Sequence, residues 1–182
     1  MREVDRRGRV NRRTFLQGAA TAVPVAAVAA SAGMSIEDAW AADATALSPA
    51  TLKTLVKVAR DIYPHDMLVD GYYITAIKPW DGKATKDPAV KAMLEEGVRR
   101  LDQDAHDRHK FVYAQVPWEA DRVVLLQGIE QTAFFKAIRS DLVVSLYNQE
   151  ELWPKFGYEG SSAEHGGYIK RGFNDIDWLP KA

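Results

Sequence analysis

From Ser48 onward, long stretches of helical apolar spacing alternate with short breaks marked by proline. Leu52, Leu55, Val56, Ala59, Ile62 and Tyr63 recur at three- and four-residue intervals, the repeat of one helix face. Ser48 before Pro49 supplies an N-cap hydroxyl, then a residue whose missing N–H costs nothing at the first helical position. Pro64 ends the pattern, so the spacing predicts a helix over 49–62. Tyr72, Tyr73, Ile74 and Ile77 predict a short helix that stops before Pro79, with Trp80-Asp81-Gly82 as a turn. Asp87-Pro88 repeats the cap-and-proline signal. Val90, Met93, Leu94, Val98, Leu101 and Ala105 then predict a helix over 88–108, whose other face carries Lys91, Glu95, Arg99 and Asp102 as solvated residues. Pro117-Trp118 opens a third helical region through Val124, Leu125, Ile129, Phe134, Phe135, Ile138, Leu142 and Leu146. Its broad apolar face predicts a place at the centre of the fold, with Gly128 as a possible break.

Glu150 to Trp153 amounts to at most one turn before Pro154, and no period follows. The expected fold class is therefore all-α: a small domain of about three to five helices, with an irregular glycine–aromatic segment over 155–182. That segment contains GYEGSSAEHGGYIKRGFNDIDWLP, in which five glycines stand among Tyr158, Tyr168, Phe173 and Trp178. Glycines allow close backbone approach and unusual dihedrals. Aromatic residues and arginine carry much of the binding energy at interfaces. Tyr158, Tyr168, Arg171, Phe173 and Trp178 are thus candidate partner-binding residues; the competing reading folds them back on the domain's own helices. A segment this long without regular structure is usually functional or disordered.

The N-terminus has a different character. Arg2, Arg6, Arg7, Arg9, Arg12 and Arg13 form a basic region, followed by an alanine-rich apolar run over 19–32 interrupted by Pro24. Ala39-Trp40-Ala41 is an A-x-A cleavage pattern and Ala30-Ser31-Ala32 a weaker rival, so 1–41 reads as a secretory signal peptide. An uncut helical membrane anchor is the alternative. Asn11-Arg12-Arg13-Thr14-Phe15-Leu16-Gln17 resembles the twin-arginine motif, with Arg12, Arg13, Phe15 and Leu16 as the export-signal residues. That address implies export of folded cargo to the periplasm. Ala42 to Leu47 then reads as a disordered lead, and 42–182 as a single domain.

Composition narrows the chemistry. The formal net charge of −1 and the pI near 6.4, with no basic stripe, give no reason to invoke nucleic acid. Cysteine is absent, which excludes disulfides, C-x-x-C-H haem attachment, cysteine-ligated iron–sulfur clusters and a cysteine nucleophile. There is no G-x-G-x-x-G and no P-loop. Without 1–41 the chain keeps 18 basic and 21 acidic side chains, a net of −3. It is long enough to bury about two-thirds of the surface its unfolded form exposes.

Three constellations could carry catalysis. His106 and His109, beside Asp102, Asp104 and Asp107, have metal-sharing spacing but also suit a solvated helix C-terminus. Tyr63-Pro64-His65-Asp66 places a histidine next to a carboxylate, yet adjacent residues rarely form a base and its orienter, so Asp66 is expected to cap the next turn. Ser161-Ser162-Ala163-Glu164-His165 compresses a triad into five residues, without the G-x-S-x-G elbow. A small metal enzyme using His65, His106, His109 or His165 is one reading; no catalytic, cofactor-binding or metal residue in this chain is the expected one.

Leu146-Tyr147-Asn148, Trp153, Gly157-Tyr158-Glu159-Gly160, Gly166-Gly167-Tyr168, Arg171-Gly172-Phe173 and Asp177-Trp178-Leu179 together resemble the gluconate 2-dehydrogenase subunit 3 family, as does the Tyr63-Pro64-His65-Asp66 step. The resemblance implies a non-catalytic small subunit of a periplasmic FAD-dependent sugar or polyol dehydrogenase. It implies FAD on a large glucose–methanol–choline-type partner, haem c on a multihaem cytochrome partner, and a role in export and stability of the flavoprotein. The runner-up is a solitary exported module whose Tyr168, Phe173 and Trp178 stack on carbohydrate.

Overall fold

The computed structural model describes residues 40, 41 and 43–169. Among the described residues, after the helical Trp40 and Ala41, five α-helices follow one another: α1 (Pro49–Ile62), α2 (Asp70–Lys86), α3 (Pro88–His109), α4 (Glu119–Gly128) and α5 (Ala133–Ser145). A 3-10 turn at Tyr113–Gln115 joins α3 to α4, and a second 3-10 helix, Glu150–Phe156, follows α5. No strand occurs among the described residues, so the domain is all-α as the spacing predicts.

The caps act as written in the sequence. The Ser48 hydroxyl accepts from the Thr51 N–H at 3.0 Å, Asp87 accepts from Ala89 at 2.8 Å, and Thr132 accepts from Phe135 at 3.2 Å. The last of these restarts the helix after Gly128, which divides the third helical region in two. That region is not the centre of the fold. The centre is α1, which touches all four other α-helices and the first 3-10 turn. It buries Leu52, Leu55, Val56, Val58 and Ala59, but also Thr51, Thr54 and Asp61.

Asp61 is the buried carboxylate among the described residues, and it organises its neighbours. Arg122 of α4 donates to both of its oxygens, through Nε at 2.7 Å and Nη2 at 2.9 Å. The Tyr113 hydroxyl donates to Oδ2 at 2.7 Å. Arg122 Nη1 is occupied by the carbonyls of Val116 at 2.8 Å and Pro117 at 3.1 Å. The hydrogen bonds that Arg122 donates to Asp61 raise the Arg122 pKa, against the effect of burial. Burial, then the Asp61 charge, pushes the Tyr113 hydroxyl far above the ordinary tyrosine value, so it stays a donor. Asp102, expected to be solvated, turns inward to the Tyr113 N–H at 2.9 Å.

Two elements differ from the sequence pattern. The helix through Tyr73 does not stop before Pro79; α2 continues to Lys86 with Pro79 inside it, and Trp80-Asp81-Gly82 is helical. An interior proline costs about 3 kcal/mol. Burial of Trp80 and Ala84 beyond it opposes that cost, as do the Trp80 Nε1 bond to Asp141 at 3.1 Å and the Lys83–Asp141 ion pair at 2.7 Å. Nor are 43–47 a disordered lead. The Asp81 carboxylate accepts from the N–H groups of Thr45, Ala46 and Leu47 at 2.9–3.0 Å and from the Thr45 hydroxyl at 2.8 Å, while Leu47 is buried.

Gly97 lets α5 approach α3. A Cβ there would overlap the ring and Cβ of Phe134, itself buried. Gly97→Ala is expected to lower stability by about 1–3 kcal/mol through overpacking, although alanine is the better helix former. Urea unfolding reads this; an unchanged midpoint would show that α5 shifts freely. Asp61→Ala is expected to cost about 3–5 kcal/mol, because Arg122 is left charged and buried. The pair Asp61→Leu with Arg122→Met should recover most of that loss in the same measurement.

Candidate functional site

The end of α1 with its following turn and the chain just beyond α5 meet at one end of the bundle. Pro64 halts α1 and sends the chain into a turn closed by the Leu68 N–H on the His65 carbonyl at 3.0 Å. α5 ends at Ser145, and Tyr147 follows. His65 Nε2 and the Tyr147 hydroxyl lie 2.7 Å apart across 82 residues of sequence. Phe156 sits edge-on to His65 at 5.0 Å between ring centroids and 5.6 Å from Tyr147; Tyr63 meets Tyr147 edge-on at 5.6 Å. The Tyr63 carbonyl accepts from the Tyr73 hydroxyl at 2.6 Å, and Gln149 donates to the Tyr72 carbonyl at 3.0 Å, so α2 holds both sides.

Burial, then the positive charge of Arg60, lowers the His65 pKa, so the ring is neutral at neutral pH. Burial, then Tyr63, raises the Tyr147 pKa. The directions agree: both groups are uncharged at neutral pH, and one hydrogen bond ties the end of α1 to the end of α5. Asp66 is not its partner. The pairing lies beyond local reading because it joins helix ends far apart in the chain.

The irregular segment continues from this cluster. Trp153 Nε1 donates to the Tyr147 carbonyl at 2.9 Å, and Tyr158 lies edge-on to Trp153 at 5.2 Å. Gly157, at φ 74°, ends the second 3-10 helix in the left-handed region and turns the chain back, so that the Tyr158 N–H reaches the Trp153 carbonyl at 2.9 Å. Tyr158 therefore packs on its own domain with one edge while staying 49% exposed. Tyr168 and Ile169 are 66% and 85% exposed, and Met67 and Val69, close in sequence to His65, are exposed too. Arg171, Phe173 and Trp178, and the export-signal residues Arg12, Arg13, Phe15 and Leu16, lie outside the described residues.

The other constellations do not assemble. His165 Nε2 meets the Glu159 carbonyl at 2.8 Å, so that nitrogen carries the proton and has no lone pair to offer as a base. Ser161 and Ser162 belong to the turn, their carbonyls accepting from Glu164 and His165. His106 faces Asp107 at 4.0 Å, while His109 faces Asp121 of α4 at 3.9 Å, so the two rings engage different carboxylates. No group of three or more His, Asp or Glu side chains is placed to share a metal among the described residues. An open depression of about 350 Å³, lined by Glu130, Gln131, Phe135, Lys136 and Arg139, involves none of these residues. No helix of the described residues is long and apolar enough to cross a membrane.

Comparison with known proteins brings no relative: no protein-family model, no curated protein and no solved structure matches the chain.

A histidine with a lowered folded pKa binds fewer protons folded than unfolded. The stability it confers is present above the unfolded value of 6.5 and is lost as pH falls through the lowered folded value. The urea midpoint of the wild type should therefore drop as pH falls through this window more steeply than that of His65→Asn. Parallel slopes would show that the His65–Tyr147 tie carries no pH-dependent stability.

Proposed function

We propose that this chain is a non-catalytic accessory subunit that binds and stabilises a larger exported flavoprotein, as the small, gamma-type subunit of a periplasmic FAD-dependent sugar or polyol dehydrogenase. The observation that carries the reading is the aromatic end of the bundle. Its rings are held from within by His65, Tyr147 and Trp153, and it leads directly to the exposed Tyr158, Tyr168 and Ile169. Rigid aromatic side chains presented at a surface cost little entropy to bury against a partner. The polar groups nearest them are already engaged with one another, an arrangement that favours packing over catalysis.

On this reading the chemistry is borrowed. FAD on the glucose–methanol–choline-type partner takes a hydride from a C–H next to a hydroxyl, and a multihaem cytochrome c partner receives the electrons. This chain contributes the twin-arginine address, read by the translocase while the cargo is folded, and a surface that seals part of the flavoprotein. Family resemblance over the Tyr63–Asp66 and Leu146–Leu179 stretches supplies the identity of the partner.

A tagged chain purified from the periplasmic or membrane fraction is expected to bring down a protein with a flavin absorption spectrum. Tyr168→Ala should weaken that complex about 30-fold, the equivalent of a 2 kcal/mol hot spot. Recovery of the tagged chain without flavin would overturn the reading. Calorimetric binding of a sugar to the chain alone would favour a solitary carbohydrate-binding module instead.

A further inference from the structure

Large apolar side chains are not spread evenly over the surface. Besides those of the aromatic end, the exposed ones include Phe111 and Val112 just after α3, Trp118 just before α4, and Val143 and Val144 in the last turn of α5. Phe111, Val112 and Trp118 stand at the same end of the bundle as the aromatic cluster. The Tyr113 hydroxyl and Arg122 both reach Asp61, two residues before Tyr63, and Tyr63 packs on Tyr147. Among the exposed large apolar residues described, Val124 alone lies away from this end, in the middle of α4. The opposite end, where Asp81 of α2 holds 45–47 before the start of α1, has none among the described residues. The loop between α3 and α4 is fixed from inside. Tyr113 and Val116 are buried, the Tyr113 N–H donates to Asp102, and the Val116 and Pro117 carbonyls accept from Arg122. Trp118 is nevertheless 74% exposed. An indole held out on a fixed backbone costs little entropy to bury, and tryptophan is among the residues that most often carry the binding energy of an interface.

Charge follows the same division. The stretches at this end, 60–70, 106–122 and 146–169, carry ten acidic and five basic side chains, a net of −5. The remaining described residues carry nine acidic and ten basic, a net of +1. Of the basic groups at the apolar end, Arg60 and Arg122 are already committed, to Asp70 and Asp61. Glu150 and Glu151 are exposed on the same 3-10 helix as Phe156, and the exposed Glu119 directly follows Trp118. An apolar end with an acidic rim restricts what can cover it. The anionic surface of a bilayer would repel it. A second copy docked end to end would set −5 against −5, and like charges facing each other oppose association. A protein surface with an apolar centre and a basic rim matches both features.

We infer that this whole end of the bundle, from the Phe111–Trp118 loop to Tyr158, is one docking face, and that it fits a protein surface with an apolar centre and a basic rim. That this protein is the flavoprotein rests on the accessory-subunit reading above. The test compares the flavoprotein recovered with the tagged full chain, wild type and Trp118→Ala, from the same periplasmic or membrane fraction. Trp118→Ala is expected to weaken the complex about 30-fold. Its urea midpoint should match the wild type, because the indole lies outside the core. Full recovery of flavoprotein with Trp118→Ala overturns the inference and leaves the accessory-subunit reading standing. A wild-type chain recovered without flavoprotein overturns both. Glu150→Lys together with Glu151→Lys tests the rim. The complex should weaken about tenfold at low salt, and the difference should shrink as salt rises. Equal or tighter binding by that variant overturns the basic rim. Phosphatidylglycerol vesicles are the probe for a membrane. Vesicle binding by the wild type that Trp118→Ala abolishes overturns the assignment to a protein surface, whereas binding that is absent, or equal in the two, supports it.

Discussion

Asp61 lies on the buried side of α1, between Val58 and the turn that ends the helix. A carboxylate here is tolerated only because each oxygen finds a charged donor in Arg122, and Oδ2 a second donor in Tyr113. Arg122 in turn gives both N–H groups of Nη1 to the carbonyls of Val116 and Pro117. Burying two charges gains little net stability, since desolvation offsets most of their attraction. What the arrangement supplies is register. Apolar faces slide over one another at small cost, whereas a bidentate guanidinium–carboxylate pair has essentially one geometry. α4 and the preceding loop are therefore fixed in rotation and height against α1, and the other helices pack around the pair so formed.

The same division of labour recurs at the opposite edge of α1's neighbourhood. Apolar burial by Ile77, Trp80, Ala84, Ile138 and Leu142 supplies the energy that holds α2 and α5 in the core. Asp141, reached by both Trp80 and Lys83, sets their alignment, with Lys83 also lying over the Trp80 ring at 4.0 Å. Asp81, one residue from Trp80, faces the other way and ties 45–47 to α2. One helical turn thus joins three parts of the chain. That explains why α2 continues through Pro79: unwinding it there would lose contacts on both sides.

The aromatic end of the bundle makes sense against this frame. Its rings rest on helix ends whose positions are already set, so His65, Tyr147 and Phe156 pack as one aromatic cluster. Through Trp153 the cluster also holds one edge of the half-exposed Tyr158.

The sequence alone determined the helical class, the limits of α1 and α3, the caps at Ser48 and Asp87 and the restart beyond Gly128, because each depends on residues within a few positions of one another. It also marked Gly157 and its neighbours as unusual backbone, since positive φ excludes most side chains. Tertiary structure alone decided that Pro79 lies within a helix, that Thr45 to Leu47 are pinned, and that α1 rather than the α4–α5 region is the centre. It alone paired His65 with Tyr147 and Asp61 with Arg122. Their partners stand tens of residues away, and a local pattern records what a side chain is but not what it will meet.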